Sequence, residues 1–175
     1  MKNLFLTIAA MMLLVSASAQ ANLTGRWQSQ QITEDTERLT VEFLFKDSVN
    51  MEMAFITENR MPNIGLCLSR IAVQGTYSFV GPFFFPSVDS KTVAVKIEKL
   101  ELDKALANKT TPTMRKDFEK MLEMQMLETA ISLFESFDGS YMLYASHEDT
   151  KDSFTFILGD ENDAIALVMN RIDKK

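Results

Sequence analysis

Hydrophobic and polar side chains alternate along most of the chain after residue 22, with the period of two that is typical of half-buried β-strands. Residues 38–46 and 49–57 form the clearest pair of such runs, and the short turn between them predicts a β-hairpin. Prolines and glycines in the segments 59–69 and 81–86 predict loops. The eight strands predicted in all span residues 25–33, 38–46, 49–57, 70–79, 91–102, 140–146, 153–158 and 164–172.

Residues 110–137 follow a different pattern, because their apolar side chains recur every three or four positions, as in an α-helix. Pro112 suits the first helical position. The apolar face rotates by about a third of a turn near residues 123–125, so we expect a bent or broken helical unit rather than one straight helix.

Sequential hairpins at short spacing predict an all-β fold, an eight-stranded antiparallel up-and-down barrel that closes its own edges. The helical insertion, at about residues 110–138, falls between the fifth and sixth predicted strands. A two-sheet sandwich is the alternative arrangement of the same strands.

The first 21 residues have the organisation of a secretory signal peptide. A lysine at position 2 precedes an uncharged apolar run over residues 4–15, and small residues follow it. Twelve residues in a helix extend roughly 18 Å, which is too short for a bilayer core of about 30 Å. We therefore expect cleavage, a single mature domain at residues 22–175, and export to the periplasm or the outside. No cysteine stands at the cleavage site, so no lipid anchor is expected.

The amino-acid composition argues against several classes of binding partner. The chain carries 24 acidic and 18 basic residues, a net charge of −6, which argues against nucleic acids and anionic membrane surfaces because phosphates would be repelled. One histidine and one cysteine are too few for the common zinc ligand sets. We expect no metal and no cofactor, and the sequence leaves the oligomeric state open.

Few side chains in the sequence are candidates for catalysis or metal binding. His147 beside Glu148 and Asp149 has the composition of a general base, but such a group at a strand end is more often a solvated turn. Four polar residues at 160–163 offer oxygen ligands for calcium, yet they lack a known loop spacing, which favours a hairpin turn. Cys67 lies between two leucines, which indicates a buried, unreactive thiol. The sequence therefore predicts a protein that is not an enzyme.

Two motifs stand at the ends of the predicted barrel: Gly25-x-Trp27 opens the first strand after the signal peptide, and Arg171 ends the last strand. In these motifs the chain resembles the lipocalins and the small lipocalin-like proteins that bacteria secrete. The resemblance implies that Trp27 lies across the closed end of a barrel and that Arg171 packs over its ring. Such a contact contributes about 0.5–2 kcal/mol. The sequence departs from the family in the position of its helix, and its single cysteine cannot form the family's disulfide.

The inward faces of three neighbouring strands are apolar and carry no charge, which predicts a ligand pocket inside the barrel. Seven residues are expected to bound this pocket, namely Phe43, Phe45, Met51, Met53, Phe55, Tyr77 and Phe79. Phe83, Phe84 and Phe85 lie in the predicted loop between the fourth and fifth strands and are expected near the pocket's rim.

Two functions fit these features. We favour a secreted lipocalin-like protein that binds a small hydrophobic ligand inside its barrel. The alternative is a non-catalytic module of the same fold with a filled core, which binds a protein or glycan through its surface. A solid interior together with an exposed segment at residues 83–85 would favour the alternative.

Overall fold

The computed structural model describes residues 23–137, 139–147, 152–159 and 164–173. The predicted signal peptide and the polar segments 148–151 and 160–163 lie outside the described residues. The described strands are β1 Gly25–Ser29, β2 Ile32–Glu34, β3 Glu37–Phe45, β4 Asn50–Met61, β5 Gly65–Val80, β6 Phe83–Val88, β7 Ala94–Leu102, β8 Met142–Ser146, β9 Ser153–Leu158 and β10 Ile165–Arg171. A 3-10 helix, Ser90–Thr92, and two α-helices, α1 Lys104–Ala107 and α2 Pro112–Ser136, connect β6 to β8 around β7.

Eight of these strands close an antiparallel barrel, the number predicted, but the fifth strand of the ring is β6 and not the segment 91–102, which forms β7. The hydrogen-bonded order is β1, β10, β9, β8, β6, β5, β4 and β3, and β1 pairs with β3 to complete the ring. The helices follow β7 and precede β8, so they separate the fifth barrel strand, β6, from the sixth, β8. The remaining strands, β2 and β7, extend the wall beside β3 and β5.

The long strands β5 and β3 each pair with two different strands along one edge. Residues 65–72 of β5 pair with β7, whereas residues 75–80 pair with β6. In the same way, the start of β3 pairs with β2 and its end pairs with β1. The loop predicted at 59–69 is therefore wrong, because β4 runs to Met61 and β5 begins at Gly65, which leaves a three-residue turn.

The loop predicted at 81–86 is also wrong, since Phe83, Phe84 and Phe85 belong to β6. Pro86 favoured a loop in the sequence analysis, because proline is rare inside sheets. Only Phe83 and Phe84 of β6 pair with β8, so Pro86 lies in a stretch that is bonded on the β5 side alone. An edge position of this kind tolerates a residue that has no N–H group.

The helical unit was expected to be bent or broken; α2 is continuous over 25 residues, so the broken form is wrong. Neither proline nor glycine occurs within it after Pro112, and without them a break has no local cause. Because its apolar face rotates, only the second half of the helix buries apolar side chains, and those of the first half stay partly exposed. Ala130 and Phe134 in the second half are buried, whereas Met114 and Met121 in the first half are about half exposed, at 54% and 47%.

Side chains of α2 cover the free edge of β7. The Glu123 carboxylate accepts a hydrogen bond from the Ile97 N–H at 3.0 Å, and the Arg115 guanidinium donates to the Leu100 carbonyl. These groups occupy positions where a neighbouring strand would otherwise pair, which protects the edge from adding another chain. The register of β7 against β5 shifts between Leu68, which pairs with Lys99, and Ser69, which pairs with Ile97, as at a β-bulge.

Candidate functional site

The interior of the barrel is filled by its own side chains. Phe43 and Phe45 are completely buried, and Met51 and Met53 are 1% exposed. Phe84 lies between the facing walls, with its ring centroid 6.0 Å from that of Phe43. Ring contacts continue through β9, where Phe156 lies 4.6 Å from Phe84 and 5.3 Å from Phe43. Edge-to-face and tilted aromatic contacts at these distances leave the predicted pocket occupied by protein.

Each residue predicted to line the pocket has a definite place. Phe43, Phe45, Met51, Met53 and Phe84 belong to the buried core, and Phe55, Tyr77 and Phe79 pack against it while half-buried. Phe83 and Phe85 do not face the interior, because they alternate with Phe84 along β6 and point outward. The seven residues thus share one face, as their parity predicted, but they contact one another instead of lining a pocket. Phe83, Phe84 and Phe85 form a strand and not a loop at its rim.

The two ends of the barrel differ. At the end near the β3–β4 turn, the Tyr77 hydroxyl donates a hydrogen bond to the Asp47 carbonyl at 2.7 Å. Burial raises the pKa of Tyr77, and the nearby Asp47 carboxylate adds to the increase. At the opposite end, α2 inserts Phe134, which is completely buried and stacks on Phe55 at 5.4 Å. Helix α2 therefore acts as a cover for this end.

Trp27 and Arg171 make the contact that the resemblance to lipocalins implied. The Arg171 guanidinium carbon lies 4.3 Å from the centre of the indole ring, and Trp27 is 2% exposed. The two residues also pair in register between β1 and β10. Arg171 further donates to the Thr24 carbonyl at 2.8 Å, and the indole N–H of Trp27 donates to the Leu23 carbonyl at 2.6 Å. These bonds tie the first strand to the last.

One row of side chains on the outside of the barrel is apolar across five strands. The register places its members directly opposite one another on β5, β6, β8, β9 and β10. Val80 is 64% exposed and Phe83 is 39% exposed. We call this set the apolar row; it comprises Val80, Phe83, Leu143, Ile157 and Ala166. Four inter-strand spacings give it a length of about 19 Å.

The surroundings of the apolar row are also uncharged. The ring of Tyr141, 58% exposed, lies 5.3 Å from Phe83 and 6.0 Å from Phe85. Within the described residues, the outward positions of β6, β8, β9 and β10 carry no formally charged side chain; they are Phe83, Phe85, Ser87, Leu143, Ala145, Ser153, Thr155, Ile157, Ala166, Val168 and Asn170. We call this surface the uncharged face.

The opposite side of the barrel is charged. Glu42, 4% exposed, accepts a hydrogen bond from Arg70 at 2.9 Å and lies 3.6 Å from Arg26. Arg70 also contacts Glu52 at 3.3 Å. Charged residues make up 24% of the chain, so composition alone does not explain why the described positions of the uncharged face carry none. Exposed apolar surface of this kind is typical of an interaction site.

The other candidate groups give no reactive arrangement in the described part of the chain. His147 lies 2.8 Å from the Thr155 hydroxyl and 3.3 Å from the Ser153 hydroxyl, while Glu148 and Asp149 lie outside the described residues. Cys67 is 5% exposed, and burial raises the pKa of its thiol, with the Glu119 carboxylate adding to the increase. No cluster of three or more His, Cys, Asp or Glu side chains that would hold a metal occurs among the described residues.

A groove of about 440 Å³ runs between β7 and α2. Val93, Ala94 and Val95 form its wall on the strand side; the helix contributes Met124 and Leu127 together with two charged residues, Lys120 and Glu123. Neither helix in the described ranges is long and apolar enough to cross a membrane.

Sequence reasoning missed the uncharged face because its residues come from segments far apart in the chain. A local signal exists in Phe83-Phe84-Phe85, which alternates as a strand would, but the register that aligns Phe83 with Leu143 and Ile157 is a property of the fold. Comparison of the sequence with family models and with curated proteins gives no match. What the chain shares with the lipocalin-like proteins is therefore the closed eight-stranded antiparallel barrel.

Proposed function

We propose that this chain is an exported, non-catalytic binding module with a lipocalin-like barrel, and that it recognises a protein partner through its uncharged face. The observation that carries the proposal is the apolar row, which crosses five strands beside Tyr141; Val80, Phe83 and Ala166 are exposed, and Leu143 and Ile157 are half-buried. The filled interior supports the same function, because Phe43, Phe84 and Phe156 occupy the space that a ligand would need.

The shape of the apolar row indicates the kind of partner. The row follows the curved outer surface of the barrel for about 19 Å, over five of its eight strands, which suits an apolar segment that can follow this curvature, such as an extended strand. Charged groups on the partner would be buried without a counter-charge there, which is costly. A glycan is less suited, because Val80, Leu143 and Ile157 offer its hydroxyl groups no hydrogen bonds.

We expect Phe83→Lys to weaken the partner's binding by at least about tenfold, because an ammonium group within the row would be buried unpaired. The purified protein is used to capture partners from the envelope of the producing cells, and each captured protein is then purified and titrated. Val49→Lys is the matched control, since Val49 is 51% exposed in the β3–β4 turn, away from the uncharged face. Its affinity is expected to stay within about twofold of the wild type.

Two results contradict this function. The first is a purified partner that binds wild-type protein and Phe83→Lys equally. The second is the absence of any protein that binds saturably at micromolar concentration. Saturable binding of a glycan that Phe83→Lys abolishes would keep the face as the site but replace the protein partner.

A second candidate function, binding of a small hydrophobic ligand, is favoured by the groove between β7 and α2. Its apolar wall residues, Val93, Val95, Met124 and Leu127, suit an acyl chain or a similar apolar body. This location differs from the barrel interior expected from the sequence, since the interior is filled and the groove is open to solvent.

Titration with a fluorescent fatty acid tests the groove. We expect Met124→Glu to weaken binding by about fivefold or more, because a carboxylate in the wall repels an apolar, anionic chain. Met114→Glu is the control, since Met114 lies on the same helix, is 54% exposed and does not line the groove. Absence of binding by the wild type at high micromolar concentration, or equal loss in both variants, would eliminate this candidate.

A further inference from the structure

The attachment of α2 to the barrel is limited. Among its 25 residues, Ala130 and Phe134 are the two that are fully buried. Its contacts reach β7, the 3-10 helix and β5. The helix is held by the stacking of Phe134 on Phe55, by the hydrogen bonds from Ile97 to Glu123 and from Arg115 to Leu100, and by apolar side chains that are only half-buried.

The barrel, by contrast, closes without α2. The ladder from β1 through β10, β9, β8, β6, β5 and β4 to β3 is continuous, and β1 pairs with β3. Elements with few buried contacts open at a lower free energy than the core that carries them. Removal of α2 therefore breaks none of the strand pairs that close the ring.

We infer that α2 is a displaceable cover, which leaves the barrel as a unit while the strands stay folded. Opening withdraws Phe134 from Phe55 and uncovers the interior face of β5 and β7. This inference depends on neither candidate function above. It makes α2 the element through which access to the covered end of the barrel is controlled.

The chain contains a built-in reporter of this movement. Cys67 is its only cysteine, and it lies on β5, opposite Leu100 of β7. It has the same strand parity as the inward-facing Ser69 and Ile71, and the Glu119 carboxylate of α2 is close enough to raise the pKa of its thiol. The thiol is 5% exposed while α2 is in place, so alkylation requires opening.

The test measures the rate of Cys67 alkylation by iodoacetamide in the folded protein at pH 8, over a series of low urea concentrations. We expect Phe134→Ala to raise the rate by about 100-fold or more, because it removes the buried anchor of the helix. Met53→Ala is the matched control, since Met53 is equally buried but lies on β4, within the closed ring. Met53→Ala is expected to lower global stability by about as much as Phe134→Ala does. Its alkylation rate is expected to stay within about threefold of the wild-type rate.

A milder variant covers the case in which Phe134→Ala fails to fold. Glu123→Ala removes the acceptor for the Ile97 N–H and is expected to raise the alkylation rate by about threefold to tenfold. A shallow urea dependence of the wild-type rate, well below that of global unfolding, supports the inference. Equal acceleration by Met53→Ala, or a urea dependence that matches global unfolding, would overturn it, because Cys67 would then be exposed only when the barrel unfolds.

Discussion

Phe84→Ala is expected to lower the free energy of unfolding by about 3–5 kcal/mol, the range for removal of a buried aromatic side chain. The ring is completely buried and lies within 4.6–6.1 Å of five other aromatic rings, those of Phe43, Phe45, Tyr77, Phe79 and Phe156. A domain of this size has a total stability of about 5–15 kcal/mol, so one substitution removes a large part of it. Urea unfolding followed through the fluorescence of the single tryptophan measures the loss.

The neighbouring residue supplies the control for this experiment. Phe83 is the same residue type on the same strand but points outward and is 39% exposed, so Phe83→Ala is expected to cost at most about 1 kcal/mol. A large difference between adjacent phenylalanines is what a strand requires, since successive side chains face opposite sides. Equal, small losses at both positions would show that the segment is a loop on a surface, as the sequence suggested.

Gly65→Ala is expected to lower the free energy of unfolding by roughly 3–5 kcal/mol, from backbone strain and steric overlap together. Gly65 has a φ of +130°, a conformation that side chains with a β-carbon rarely adopt. A β-carbon there would lie 1.8 Å from the Glu101 carbonyl oxygen, which belongs to the backbone of β7 and cannot rotate away. The start of β5 would have to separate from the end of β7.

Gly81→Ala separates the two causes. Gly81 also has a positive φ, +60°, but a β-carbon at that position meets no atom within 4 Å. We therefore expect a loss of about 1 kcal/mol from the backbone conformation alone. Chemical denaturation of both variants gives the comparison, and losses of similar size would show that the close approach of β5 and β7 is not the dominant constraint at Gly65.

The inward faces of the strands could be predicted from the sequence because alternation is a local property. Leu39, Val41, Phe43 and Phe45 follow one another at every second position, and a strand places such residues on one side whatever its neighbours are. The contact of Arg171 with Trp27 was predicted from the resemblance to lipocalins, and the closed ring, which brings the first strand beside the last, contains it. The helix was predicted for the same local reason, from the spacing of its apolar residues.

The occupied interior was not predictable from the same pattern. Parity places Phe43 and Phe45 inside, but it does not state how much space remains between opposite walls. That space is filled by Phe84, from a strand which the sequence interpretation had assigned to a loop, and by Phe134, which α2 inserts at the other end. Both depend on contacts between segments that are distant in the chain, and packing density is decided only when those segments meet.

The sequence by itself therefore determined the class of fold and the direction in which most strand residues point, because both follow from local periodicity. The tie between the two ends of the barrel came from the resemblance of the terminal strands to those of lipocalins. Only the tertiary structure decided where a partner or ligand has room to bind. The apolar row needs the register of β6 against β8 and of β8 against β9, and the groove needs α2 beside β7. Register and helix docking are set by the combined packing of the whole barrel, so no single segment of the chain encodes them.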